Sequence, residues 1–155
     1  MKFETERLIL RPARMSDWKD IVEGANDLEV SKTLLVVPYP YRKKDAVSFI
    51  EDCIKKSKER KPKGYVFFIE LKGEGKVIGV TSLDVDKSQG IGKTGSWINK
   101  KYWRNGYILE AKVPVLDFAF KKLRLRRIST SAFAENIASQ KMSETLGFKR
   151  EGLKR

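Results

Sequence analysis

Ser96-Trp97-Ile98-Asn99-Lys100-Lys101-Tyr102-Trp103-Arg104-Asn105-Gly106-Tyr107-Ile108-Leu109-Glu110-Ala111 reads as a strand running into a short basic loop that opens directly into a helix. A helix start leaves its first main-chain N–H groups without intrahelical partners and carries the positive end of the helix dipole. Several donors therefore point at one spot, which suits an anion. Gly106 allows close approach of a ligand to the backbone, and Arg104 supplies a charge-assisted contact. An ordinary strand-to-helix turn with a solvated arginine accounts for the loop on its own equally well.

Working outward, Leu109, Val113, Leu116, Phe120 and Leu123 recur at helical spacing after Gly106, and Ala111, Val115 and Ala119 widen that face. Pro114 inside this helix removes one hydrogen bond. Arg126 to Phe133 reads as a strand, and Asn136 to Leu146 as a short helix closed by Gly147. Upstream, Tyr65–Leu71, the turn Gly73–Lys76, Val77–Leu83 and Lys93–Asn99 make an antiparallel meander. Asp45 to Arg60 is amphipathic, and Leu34 to Tyr41, with Pro38 and Pro40, is a surface loop. Ser16 is placed to cap a helix carrying Trp18, Ile21, Val22 and Ala25, and Arg7–Arg11 is a first strand stopped by Pro12.

The 155 residues suffice for one domain (1–155), and 41% hydrophobic content marks a globular chain. A single cysteine, Cys53, closes no internal disulfide and falls at a core-like position. The absence of histidine removes every Ser-His, Cys-His and His-metal mechanism, and no metal site is expected. No apolar run approaches the about 20 residues needed to span a bilayer, and the opening residues are too charged for a signal peptide, so a cytoplasmic protein without membrane contact is expected. The net charge of +13 favours polyanions: a phosphorylated cofactor, RNA or an acidic protein surface.

Three stretches, in order, resemble one family. Tyr102-Trp103-x-x-Gly106-Tyr107-x-x-Glu110-Ala111 is similar to the acetyl-CoA loop of GNAT acetyltransferases, in particular the RimJ/RimL-type branch that acetylates ribosomal-protein N-termini. Ala134-Glu135-Asn136-Ile137-Ala138-Ser139 with Glu144 to Gly152 resembles that branch's C-terminal segment, and Glu4 to Pro12 its usual start. The resemblance implies an α+β, three-layer α/β/α fold: a mixed, mostly antiparallel twisted sheet with a splayed strand pair and about four flanking helices. It implies acetyl-CoA as cofactor, with Trp97 and Ile98 pairing with the pantetheine arm through backbone groups. Trp103, Arg104, Asn105, Gly106, Tyr107, Ile108 and Leu109 would line the pyrophosphate, and Asn136 and Ser139 the sulfur end. Asn136 is equally placed to be a helix N-cap.

The chemistry so implied is direct attack of a neutral primary amine on the thioester, possible acceptors including a protein N-terminus or ribosomal protein, in a monomer or homodimer with no direct nucleic-acid contact. This sequence departs from the family at four points. Lys93 stands where many relatives carry a glutamate base, and Ser143 falls near a tyrosine donor of other branches. Arg104 replaces a loop glycine, and Ile108 a small residue. Asp84 and Asp86 are the nearest replacement bases; Ser139, Asn136 and Asp84 are the candidate catalytic residues. A GNAT-fold module that binds acyl-CoA without turnover, and a basic nucleic-acid-binding domain, are the competing readings.

Overall fold

Apolar alternation and tight turns organise the sheet. The computed structural model describes residues 1–31, 38–130, 141, 143–149 and 151. Six strands form one sheet: β1 (Phe3–Glu4), β2 (Leu8–Arg11), β3 (Gly64–Leu71), β4 (Lys76–Asp86), β5 (Ile91–Ile98) and β6 (Arg127–Ser129). Their spatial order is their chain order. Every neighbouring pair is antiparallel except β5 and β6, which run parallel with Ile91 opposite Arg127 and Lys93 opposite Ser129. The β3–β4 hairpin turns on Gly73 and Gly75, whose φ values of 87° and 64° suit a residue without Cβ.

Among the described residues, the helices α1 (Trp18–Ala25), α2 (Leu28–Ser31), α3 (Lys43–Ser57) and α4 (Tyr107–Asp117) cover the two faces. On one face Ile21 and Ala25 of α1 and Ala46, Ile50 and Cys53 of α3 pack on Phe68, Val77 and Val80. On the other, Ala111 and Val115 of α4 pack on Phe67, Ile78, Leu83 and Ile98. Each fully buried Ile, Leu, Val or Phe among them contributes about 1.5–3 kcal/mol by leaving water. The result is the expected three-layer α+β arrangement.

Several local expectations are corrected. Ser16 does not cap the first helix: Met15–Asp17 form a 3-10 turn, and Arg14 N–H donates to Asp17 Oδ2 at 2.8 Å. Asp17 takes this position because it also accepts both terminal nitrogens of the buried Arg11, at 2.9 and 2.8 Å. The second long helix starts at Lys43, where Arg42 N–H donates to Asp45, and ends at Ser57. In α4 the buried stripe is not the one expected. Ala111, Val115 and Ala119 are fully buried, while Val113 and Phe120 are 51% and 47% exposed. Small residues let the helix lie close to the sheet, and the larger ones rotate outward. Beyond Pro114 and Asp117 the helix widens into a π turn, Phe118–Lys122, with Leu123 N–H donating to Phe118 O at 3.1 Å.

β6 is described over Arg127–Ser129, and residues 131–140, which hold the end of the expected strand and the candidate sites Asn136 and Ser139, lie outside the described residues, as does half of the loop expected over Leu34–Tyr41. Pairing of β5 with β6 is described over three positions, so the divergence expected beyond them also falls outside. Gly147 has φ 95°, in line with a left-handed helix end.

Candidate active site

β5 delivers the chain to the loop through a series of local bonds. Asn99 N–H donates to Ile78 O at 2.7 Å, and its Oδ1 accepts Lys101 N–H at 3.0 Å, starting a 3-10 turn over Lys100–Tyr102. The Trp103 indole N–H donates to Ile98 O at 2.7 Å. The chain then reverses through two left-handed residues, Arg104 (φ 65°) and Gly106 (φ 76°). Asn105 Nδ2 holds the reversal together, donating to Tyr102 O and Trp103 O, each at 3.1 Å. A left-handed arginine costs about 1–2 kcal/mol relative to the right-handed form. It stands where the resemblance places glycine, which adopts this conformation freely.

The outcome is a run of open donors. Among the described residues no protein group accepts the main-chain N–H of Arg104, Asn105, Gly106, Tyr107, Ile108 or Leu109; the first closed bond is Glu110 N–H to Gly106 O at 3.0 Å. Residues Trp103 to Gly106 are exposed, so the loop is open to water or a ligand. Unengaged amides at a helix start, with an arginine beside them, fit a diphosphate.

Behind the loop sits a network absent from the sequence reading. Glu110, in the first turn of α4, accepts Thr5 Oγ1 at 2.5 Å, Arg7 N–H at 2.8 Å and Arg7 Nε at 2.6 Å. Burial works to raise its carboxyl, but the hydrogen bonds from Thr5 and Arg7 outweigh it and hold the group below its ordinary value. Arg7 Nη2 continues to Asn105 O at 2.9 Å, and its guanidinium lies 4.4 Å from the centre of the Tyr107 ring. The signal for this was the pairing of an acid in the helix's first turn with the Thr5-x-Arg7 of the opening segment.

Strand register settles which edge groups face outward. Asn99 N–H bonds Ile78 O, so by the antiparallel alternation the main-chain groups of Trp97 turn to Val80 of β4, while those of Ser96 and Ile98 turn to the β6 side. This corrects the expectation for Trp97: its carbonyl lies only 2.2 Å from where a Cβ on Gly79 would sit, and its ring packs beside Gly24. Of Ile98, the carbonyl is taken by Trp103. Asn99 Nδ2, at the strand's end, is buried with no partner among the described residues.

On the α1/α3 face, part of the sheet is uncovered. Asp84 is exposed and lies directly across from Lys93, also exposed, and the next residue on that face of β5 is Gly95. A Cβ on Gly95 would meet only Ser82 Oγ, at 3.8 Å, so the floor here is open. Asp84 thus stands one strand from the position where the resemblance expects a glutamate. Asp86, by contrast, accepts Ser88 and Gln89 in the β4–β5 turn. Ser143 is half-buried, and its carbonyl accepts Phe148 N–H at 3.0 Å. Lys112, one turn beyond Ile108 on α4, is 2% exposed, and burial pulls its amine from 10.5 down to about 8.

Comparison with known proteins agrees with this geometry. A family model described as an acetyltransferase (GNAT) domain matches residues 7–149. An uncharacterized N-acetyltransferase, p20, of Bacillus licheniformis is 29% identical over 154 residues, 97% of this chain and 84% of that protein. The crystal structure of a GNAT-family acetyltransferase from Bacillus anthracis superposes with a TM-score of 0.85 at 27% identity, covering 98% of this chain and 86% of that one. Mycobacterium smegmatis RimJ in complex with CoA-disulfide shares the fold, with a TM-score of 0.78 at 21% identity over 94% of this chain and 71% of that one.

Proposed function

This chain belongs to the GNAT acetyltransferase family, and from that premise we propose that its acceptor is the N-terminal amine of a protein. Membership makes it an acetyl-CoA-dependent N-acetyltransferase. Acetyl-CoA supplies the acetyl group as a thioester. The amides of Arg104, Asn105, Gly106, Tyr107, Ile108 and Leu109, with Trp103 and the Arg104 side chain beside them, hold the pyrophosphate. The outward edge of β5 at Ser96 and Ile98 takes the pantetheine arm, and Asn136 and Ser139 attend the sulfur end on the strength of the resemblance alone.

An incoming ammonium has no lone pair and must lose a proton before it becomes a nucleophile. Asp84, diagonal to Gly95 across the β4–β5 pair, is the exposed carboxylate on this face of the sheet, and we assign it as the base. Holding the two reactants together contributes much of the rate and asks little of any single side chain. The single observation that carries the acetyl-CoA assignment is the run of six amides that no group among the described residues engages. A protein acceptor is supported by the resemblance of the loop and C-terminal motifs to the RimJ/RimL-type branch. The charge of +13 favours acidic, ribosome-like surroundings around such an acceptor.

The test is thiol release from acetyl-CoA with peptides bearing a free N-terminus, alongside the same peptides N-terminally blocked but carrying an internal lysine. Turnover confined to the free N-termini is expected, with thermal stabilisation by CoA. Equal turnover of the blocked peptides moves the acceptor to lysine. Absence of any CoA effect on melting removes the loop assignment. Asp84→Asn should lower kcat by about 100-fold or more.

A further inference from the structure

We infer that Arg7 is a positioning residue for acetyl-CoA, bracing the Asn105–Tyr107 turn against the N-terminal strands so that the loop amides face the ligand. The inference rests on the acetyltransferase reading above. The loop has few bonds of its own: the Asn105 side chain ties its start, and nothing within it fixes the peptide between Asn105 and Gly106. Arg7 does so from outside. Its Nη2 donates to Asn105 O at 2.9 Å while its Nε is anchored on Glu110 at 2.6 Å.

Peptide planarity turns that contact into aim. In a trans peptide the carbonyl and the following N–H point in opposite directions. With the Asn105 carbonyl held by Arg7, the Gly106 N–H is directed away from Arg7 and the β1–β2 strands. Were that carbonyl released, the plane would be free to flip and present an oxygen where a phosphate oxygen has to sit, replacing attraction by repulsion. The fit around Arg7 is close: a Cβ on Gly106 would lie 3.7 Å from Nη2, and the guanidinium stacks on Tyr107, the first residue of α4. Glu110 is itself fixed by Thr5 and by the Arg7 main chain, so the anchor does not move with the guanidinium.

The geometry asks for an arginine. One planar fork reaches a carboxylate with one nitrogen and a carbonyl with another; a lysine offers a point charge in roughly the same place without the fork. The charge alone and the brace are therefore separable. Arg7→Ala, Arg7→Lys and Thr5→Val are compared with the parent protein by steady-state kinetics at varied acetyl-CoA, CoA titration calorimetry and thermal melting. Both Arg7 variants should raise KM for acetyl-CoA and the Kd of CoA about tenfold or more, the factor expected for one lost charge-assisted hydrogen bond. At saturating acetyl-CoA, kcat should stay within about twofold. Thr5→Val removes a Glu110 bond without touching Asn105, so it should lower the melting temperature and leave KM in place.

Wild-type KM in Arg7→Lys would reduce the residue to its charge and overturn the inference. So would a rise in KM for Thr5→Val equal to that for Arg7→Ala, which would make the effect one of general destabilisation. Should Arg7→Ala not fold, Arg7→Lys decides alone. Failure of the parent protein to bind CoA would instead strike the acetyltransferase reading, which distinguishes the two.

Discussion

Replacing Lys112 with methionine should stabilise this protein by about 3 kcal/mol at pH 7. The side chain is 2% exposed and no hydrogen bond or ion pair engages it among the described residues. Burial without a partner disfavours the ammonium, and the amine falls from 10.5 to about 8. At 1.36 kcal/mol per tenfold change in proton affinity, that fall corresponds to about 3 kcal/mol of penalty carried by the folded state. The folded protein holds the proton less tightly than the unfolded chain, so the penalty is complete below about pH 8 and shrinks as pH rises towards 10.5. Wild-type stability should therefore climb through that window, and the methionine variant, of similar length and no charge, should lack the climb. Denaturant unfolding of both proteins at pH 7, 9 and 10.5 measures the difference directly. Cys53 and Tyr41, pushed up by burial to about 11 and about 12, titrate in both proteins and cancel. In melting experiments the gap at pH 7 corresponds to roughly 6–12 °C. A gap that does not change with pH, or a variant less stable at pH 7, would refute the argument, because it would mean the buried ammonium is compensated.

Arg104→Gly should raise stability by roughly 0.5–1 kcal/mol in urea unfolding by relieving a φ of 65°, while weakening CoA binding through the lost charge. Gly79→Ala should cost about 2–3 kcal/mol, since the new methyl would lie 2.2 Å from the Trp97 carbonyl and neither strand can yield without breaking the ladder. CoA titration of that variant should show weakened binding, because β5 must shift. Cys53 should react with a thiol reagent at pH 7.5 only as fast as the protein unfolds, its thiol being buried and raised to about 11; rapid labelling of the native protein would contradict this.

The sheet was legible because its signals are local. Gly73 and Gly75 mark the β3–β4 turn, and the apolar alternation on either side fixes which residues pair. The loop from Trp103 to Ile108 was legible for the same reason, since a strand, a glycine and a helical period follow within a dozen residues. What was hidden depends on packing between distant segments. Periodicity identified α4 but not which stripe of it meets the sheet, because spacing cannot distinguish Val113 from Ala111 when both are apolar. Lys112 gave no sign of burial, since a lysine in a helix normally reaches solvent. Trp97 and Ile98 were expected to share one edge, whereas Ser96 and Ile98 turn to the outer flank and Trp97 to β4, a one-residue parity that the register with β4 reveals. The role of Glu110 required Thr5 and Arg7, a hundred residues earlier, to arrive beside it.

Because the six described strands lie side by side in the order in which they are strung, each finds its sheet neighbour in the strand next to it along the chain. Each of β2 to β5 lies against the strand before it, and the bend bearing the open amides follows β5. Only β6 must travel back, by way of α4, to lie parallel against its neighbour. That return sets a wall along the outer flank of β5.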